Sequence, residues 1–217
     1  MIRLHHVPQS RSMRSLWLLH EMGLDFDVQE YPFDKTLREE PYRSLNPTGR
    51  VPTLEIDGVV LTESGAIAQY LCARFPDRGL GRDPSHPDFA AWLNWIHFAE
   101  TISQHCAALT QQHIALYEDW MRSPTVMQLE AKRLAKTIGT VEQGLQGDYL
   151  LGAFSAADVG VGQAVYMARH FVRLDPFPNV AAWYDRLAAR PAFQASLPGD
   201  KGLYTLDYYA PWEVTPP

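Results

Sequence analysis

A chain of 217 residues is long enough for one large domain or two small ones. Its 46% hydrophobic and 20% charged residues, without low-complexity runs or clear repeats, describe an ordinary globular protein. A net charge of −6 disfavours nucleic acid or an acidic membrane as the main partner. Only two cysteines occur, Cys72 and Cys106, both in segments patterned as helices; they form no disulfide framework and suit a reducing compartment. The opening MIRLHHVPQSRS has no apolar leader region, and nowhere do about 18 apolar residues run together. A soluble cytoplasmic protein with no membrane span is expected.

Ile2–His6 reads as a short strand, followed by a polar turn, Pro8-Gln9-Ser10-Arg11. A helix is expected from about Ser12 to Met22, with Met13, Leu16 and Trp17 at i, i+3 and i+4 and Gly23 as its stop. Residues 26–31 alternate like a strand, and Leu37–Leu45 predicts a weaker helix with Pro41 inside or bounding it. Asp57-Gly58, between the strands Thr53–Ile56 and Val59–Leu61, is a favoured hairpin dipeptide because both residues tolerate positive φ. Glu63-Ser64-Gly65 then opens a helix bearing Ile67, Tyr70, Leu71 and Phe75 on one face. The order predicts a small mixed sheet with helices packed on it.

Residues 76–87, PDRGLGRDPSHP, hold three prolines and two glycines and read as a linker. Beyond it the periodicity is helical: Phe89, Trp92, Leu93 and Ile96; Leu134, Ile138, Val141 and Leu145; Val161, Val165, Ala168 and Val172; Val180, Trp183, Tyr184 and Leu187. We therefore expect a sheet-bearing domain over 1–78, a linker over 79–88 and an all-helical domain over 89–217. The tail from Gly199, rich in Tyr, Trp and Pro, is expected to lie over the surface.

The stretch Asn46–Ser64, NPTGRVPTLEIDGVVLTES, carries the chemistry. A cis bond before Pro52 costs only about 0.5–1 kcal/mol. Pro52 has no N–H for a sheet ladder, which leaves the Val51 backbone free to pair with an outside peptide. The unpaired N–H groups at the helix start near Ser64 attract a carboxylate. A V-P pair, eleven residues and then Ser at a helix start resembles the glutathione-binding half of the glutathione transferases.

That resemblance covers the chain from the first strand to about Arg190. It implies a thioredoxin-like α/β N-terminal domain followed by an all-α helical bundle. The run SRSMRSLWLLHEMGLDF looks most like bacterial transferases of the serine type, in which a serine precedes an arginine as S-x-x-x-R; Ser10 and Arg14 match it. Glutathione, as co-substrate, would pair with Val51 at the Pro52 turn, place its γ-glutamyl carboxylate on Ser64 and meet Glu63 through its ammonium. Arg50 either approaches the glycyl carboxylate or is a solvated charge. Glu100 falls where some relatives reach across a dimer toward glutathione, and a homodimer is implied.

Conjugation needs the thiolate, and lowering a thiol from about 8.5 to about 6.5 asks for roughly 2.7 kcal/mol. A hydroxyl bond to the anion, about 1.5–3 kcal/mol, with a helix N-terminus could supply it. Ser10 is the favoured group. Ser12 reads as the more natural helix cap and stands second, and Arg11 could instead face the sulfur. The resemblance thus implies attack of the thiolate on a small hydrophobic electrophile, lodged against residues 107–117 and Tyr204, Tyr208, Tyr209 and Trp212. Reduction of organic hydroperoxides by the same thiolate, or a non-enzymatic glutathione-binding module, are the alternatives. An enzyme-thiol reductase would want a cysteine in the first turn, where this chain has serines only, and the S-S-C run of related isomerases is absent.

No metal site is expected. His5 and His6 alternate across a strand, and His97, His105 and His113 are spaced by about 12 Å of helical rise. Ser155 and Asp158, S-x-x-D before an apolar helix, read as a capping box that serves folding.

Overall fold

The computed structural model describes residues 1–145, 147–204 and 207–209. Strand β1, Ile2–His6, leads through a turn into helix α1, Ser12–Glu21, and β2 follows over Asp27–Glu30. Gly23, at φ 58°, ends α1: its N–H reaches His20 O and the Leu24 N–H reaches Leu19 O. The predicted helix over Leu37–Leu45 is not continuous. A 3₁₀ turn at Thr36–Arg38 gives way to extended backbone at Glu39, a cis Glu40-Pro41 bond and a single turn α2, Tyr42–Leu45. Proline disfavours helical geometry in the residue before it and donates no N–H, so the apolar spacing there was outweighed.

Strands β3, Thr53–Ile56, and β4, Val59–Leu61, close on Asp57 and Gly58, both at positive φ as the hairpin requires. The sheet order is β2-β1-β3-β4, with β1 parallel to β2 and the other pairings antiparallel. Edge strand β2 is exposed along its length and carries Asp27 and Glu30, charges that discourage edge-to-edge pairing. Helix α3, Ser64–Arg74, completes this half.

The stretch over 76–88 is not a free tether. Leu80 is buried, its carbonyl accepts from Ala156 N at 2.9 Å, and Gly81 lies against Cys72 so closely that a Cβ would stand 2.7 Å from the Cys72 Cβ. The helical half comprises α4, Phe89–Thr110; α5, Pro124–Gly144; α6, Ala156–Ala168; α7, Pro178–Ala188; and α8, Pro191–Gln194. One hydrophobic core runs from the sheet and α1 into these helices. Helix α1 is buried from Ser12 to Leu19 because it is sandwiched between sheet and bundle. Gly162 permits the approach of α6: a Cβ there would meet Leu187 at 2.5 Å and the Trp17 ring at 3.1 Å.

The capping box at α6 forms as its spacing predicts. Ser155 Oγ accepts from Ala157 N at 3.3 Å, and Asp158 accepts from Ser155 N at 2.9 Å. Asp158 also takes Leu150 N and the Trp183 indole N–H, each at 3.0 Å, so one fully buried carboxylate ties α6 to α7 and to the loop before it. Asp158→Ala removes the acceptor for three buried N–H donors and the Ser155 hydroxyl, at about 1–3 kcal/mol for each N–H. A loss of about 3 kcal/mol or more is expected, which in a chain of this size lowers the melting temperature by about 6–12 °C. An unchanged Tm in a calorimetric scan would contradict this reading of the box.

Candidate functional site

The sheet register brings three turns to one end of the molecule. His5 at the end of β1 stands opposite Thr53 at the start of β3, and Leu54 stands opposite Leu61 at the end of β4. The β1–α1 turn, the Val51-Pro52 turn and the start of α3 therefore converge, although Ser10 lies 41 residues before Val51 and 54 before Ser64 in the chain.

In the first turn Gln9 adopts φ 55° and is buried. Its side chain donates to Tyr166 Oη at 3.0 Å and accepts from Tyr204 N at 2.8 Å, pinning the turn to α6 and to the tail. Ser10 follows, half-buried, at the entrance to α1. Its hydroxyl accepts from Ser12 N at 3.2 Å and lies 2.8 Å from Ser12 Oγ. Its carbonyl accepts from Gln163 Nε2 at 3.2 Å. Ser12 does not cap the helix as expected: it is fully buried inside the first turn, and its hydroxyl faces Val7 and His6 instead. The cap position belongs to Arg11, which makes no side-chain cap bond. Arg11 extends toward Glu100, 3.6 Å away. Of the three candidates for the sulfur, Ser10 and Arg11 reach solvent and Ser12 does not.

Arg14, one turn along α1, is the junction of the site. It is 5% exposed, and its guanidinium donates to Gln163 Oε1 at 2.9 Å, Ala99 O at 3.1 Å and Ser64 Oγ at 3.2 Å. It also bonds Ser103 Oγ and the Glu100 carboxylate. Ser64 Oγ in turn donates to Glu100 at 3.2 Å. Burial pulls Arg14 below the ordinary guanidinium value, with Glu100 opposing. Burial also works to raise Glu100, but Arg14 and Arg11 outweigh it and hold the carboxyl below the usual range. A buried guanidinium with all its donors engaged is a rigid strut. Glu100, expected to reach toward a partner's ligand, is used within its own chain.

Val51-Pro52 is cis. Among the described residues no bond is made to the Val51 amide or carbonyl, and Pro52 is buried beneath them. Two residues that the motif reading passed over build this turn. Tyr42 Oη donates to Arg50 O at 2.5 Å, and Asn46 Nδ2 donates to the same carbonyl at 2.8 Å. Both also contact Thr53 Oγ1. The Arg50 side chain is exposed. Glu63 is exposed at the cap position of α3, and its side chain makes no cap bond. Ser64 is buried at the first helical position, beside the unpaired amides of that end.

The tail is not merely superficial. Tyr204 is buried and bonds Thr110 through its hydroxyl, and Tyr208 lies over His113 at 4.7 Å between ring centres. Gln9, Tyr166, His170, Tyr204 and Tyr209 border a groove of about 420 Å³. Residues 107–117 do not line it: Leu109 belongs to the core and Tyr117 is 74% exposed. Trp212 lies outside the described residues. Cys72 and Cys106 are buried, and desolvation pushes both thiols up to about 12. Among the described residues no cluster of His, Cys, Asp and Glu is placed to hold a metal ion, and no helix is long and apolar enough to cross a membrane.

Residues 10–74 match the family described as glutathione S-transferase, N-terminal domain, and residues 112–197 match glutathione S-transferase, C-terminal domain. The chain is 27% identical to glutathione S-transferase 3 of Schizosaccharomyces pombe, over 88% of this chain and 85% of that one. It is 30% identical to the glutathione S-transferase-like protein OpS6 of Beauveria bassiana, over 81% and 84% respectively. A solved glutathione S-transferase from Xylella fastidiosa superposes with a TM-score of 0.82 at 27% identity, covering 94% of this chain and all of that one. With both halves matched in order, the chain belongs to the glutathione S-transferase family.

Proposed function

We propose that this protein is a serine-type glutathione transferase that joins the glutathione sulfur to small hydrophobic electrophiles. The convergence of Ser10, the Val51 backbone and Ser64 at one end of the sheet supports this reading, since these supply a donor for sulfur, a peptide edge and a carboxylate nest. The cysteinyl unit of glutathione pairs with Val51 above Pro52. Its γ-glutamyl carboxylate sits on Ser64 and the first amides of α3, with the ammonium toward Glu63. Arg50 and Arg11 supply positive charge at the rim.

Ser10 donates its proton as a hydrogen bond to the thiolate, stabilising it without transferring the proton. The thiolate attacks an electrophilic carbon; the C–S bond forms as the leaving group, such as a halide, departs with its electron pair. We assign the electrophile to the groove bordered by Gln9, the residue before Ser10, and by Tyr204 and Tyr209. Because both cysteine thiols are closed to solvent and protonated at neutral pH, thiol chemistry at this site, including any reduction of organic hydroperoxides, belongs to the bound tripeptide. By the same family resemblance we assign a cytoplasmic, homodimeric detoxification enzyme.

Ser10→Ala is expected to raise the thiol pKa of bound glutathione by about 1–2 units, the worth of one charged hydrogen bond. Conjugation of a chlorinated nitroaromatic at neutral pH would fall about 3–25-fold as the thiolate fraction drops, with glutathione affinity by calorimetry little changed. An undiminished rate would transfer the sulfur contact to Arg11. Arg14→Met leaves Glu100 without its buried partner and should cost about 3–5 kcal/mol in denaturant unfolding. A cost below about 1 kcal/mol would mean that the strut carries little of the site's rigidity.

A further inference from the structure

We propose that His6 and Ser12 are positioning residues: a hydrogen-bond relay, His6 Nδ1–H to Ser12 Oγ–H to Ser10 Oγ–H, that turns the Ser10 proton outward toward the sulfur. The inference rests on the reading of Ser10 as the thiolate donor and adds what fixes the direction of its hydroxyl. Ser12 Oγ lies 2.8 Å from His6 Nδ1 and 2.8 Å from Ser10 Oγ, and His6 and Ser12 are both buried.

A hydroxyl has one proton and two lone pairs. Val7 N–H, 3.1 Å away, fills one lone pair of Ser12 Oγ. If His6 carries its proton on Nδ1, that N–H fills the second. The Ser12 proton then goes to Ser10 Oγ at 2.8 Å rather than to Val7 O at 3.3 Å. Ser10 Oγ already accepts from Ser12 N, so both its lone pairs are now taken. Its own proton is all it has left to offer.

The other imidazole tautomer reverses the chain. Ser12 donates to a bare Nδ1, Ser10 donates inward to Ser12, and Ser10 turns a lone pair toward the sulfur. A thiolate would be repelled by that arrangement. One proton position on a buried ring therefore decides whether the exposed end of the chain attracts or repels an anion. Glu30 is the charged group acting on His6, and it opposes the effect of burial. Burial prevails and brings His6 down to about 4, so the ring is neutral and carries one N–H in the pH range where the tautomer matters. A bound thiolate polarises the chain cooperatively and favours the Nδ1–H form.

Isotope-labelled histidine nitrogens, followed by NMR in the wild-type protein free and saturated with glutathione, test this directly. The expected result is the Nδ1–H tautomer at His6 in the complex; the Nε2–H tautomer there would overturn the relay. In parallel, His6→Leu should raise the bound-glutathione thiol pKa by about one unit and lower kcat at pH 7 about threefold, while KM for glutathione stays within about twofold. His6→Asn, whose amide N–H takes the place of Nδ1–H, should restore both. If His6→Leu fails to fold, the wild-type NMR still decides. A His6→Leu thiol pKa equal to wild type, with the wild-type value depressed, overturns the relay alone. A wild type that leaves the glutathione thiol at its solution pKa overturns the Ser10 reading, and the relay with it.

Discussion

The guanidinium of Arg14 is the constraint on which the site depends. It is buried where α1, α3, α4 and α6 meet, and its bonds fix three elements to α1: Ser64 at the start of α3, Ala99, Glu100 and Ser103 on α4, and Gln163 on α6. Such a charge is tolerable out of water only when its donors are satisfied and an anion is near, and Glu100 is that anion. Gln163 then passes the constraint back to the Ser10 carbonyl. The helical half therefore does more than cover the sheet: it holds the turn that presents the hydroxyl.

Buried side chains behind the Val51-Pro52 turn fix the peptide edge. Asn46 and Tyr42 converge on the Arg50 carbonyl and on Thr53, leaving the intervening Val51 backbone without a bond among the described residues. Gln9 does the same for the neighbouring turn, joined to Tyr166 and Tyr204. In each case the half-buried group assigned to glutathione is backed by a buried polar residue. Buried amides and hydroxyls persist only when their bonds are made, so these residues hold the two turns in one geometry.

What was legible in the sequence followed locality. The Asp57-Gly58 hairpin, the turn at Pro52, the Ser155/Asp158 box and the long helices are set by rules acting over one to four residues, and all form. The break at Pro41 is half legible: a proline inside or bounding Leu37–Leu45 weakens the helix, but nothing local shows that the segment divides into a 3₁₀ turn and a single helical turn. Ser12 was misread because capping statistics describe helix ends in water, whereas this hydroxyl is turned into a buried pocket by His6 and Val7. The partners of Arg14 could not be read, since Glu100 and Gln163 lie 86 and 149 residues away. Neither carries a local signal of that contact.

The account reduces to a single arrangement: a sulfur-bearing tripeptide stretched across three converging turns, its sulfur on a serine hydroxyl and its acid end on a helix start. A crystal structure of the protein soaked in glutathione examines this most directly. The account predicts sulfur within hydrogen-bond reach of Ser10 Oγ, main-chain pairing to Val51 and a carboxylate on Ser64. Density for the tripeptide elsewhere on the surface, or an empty groove at saturating glutathione, would contradict it.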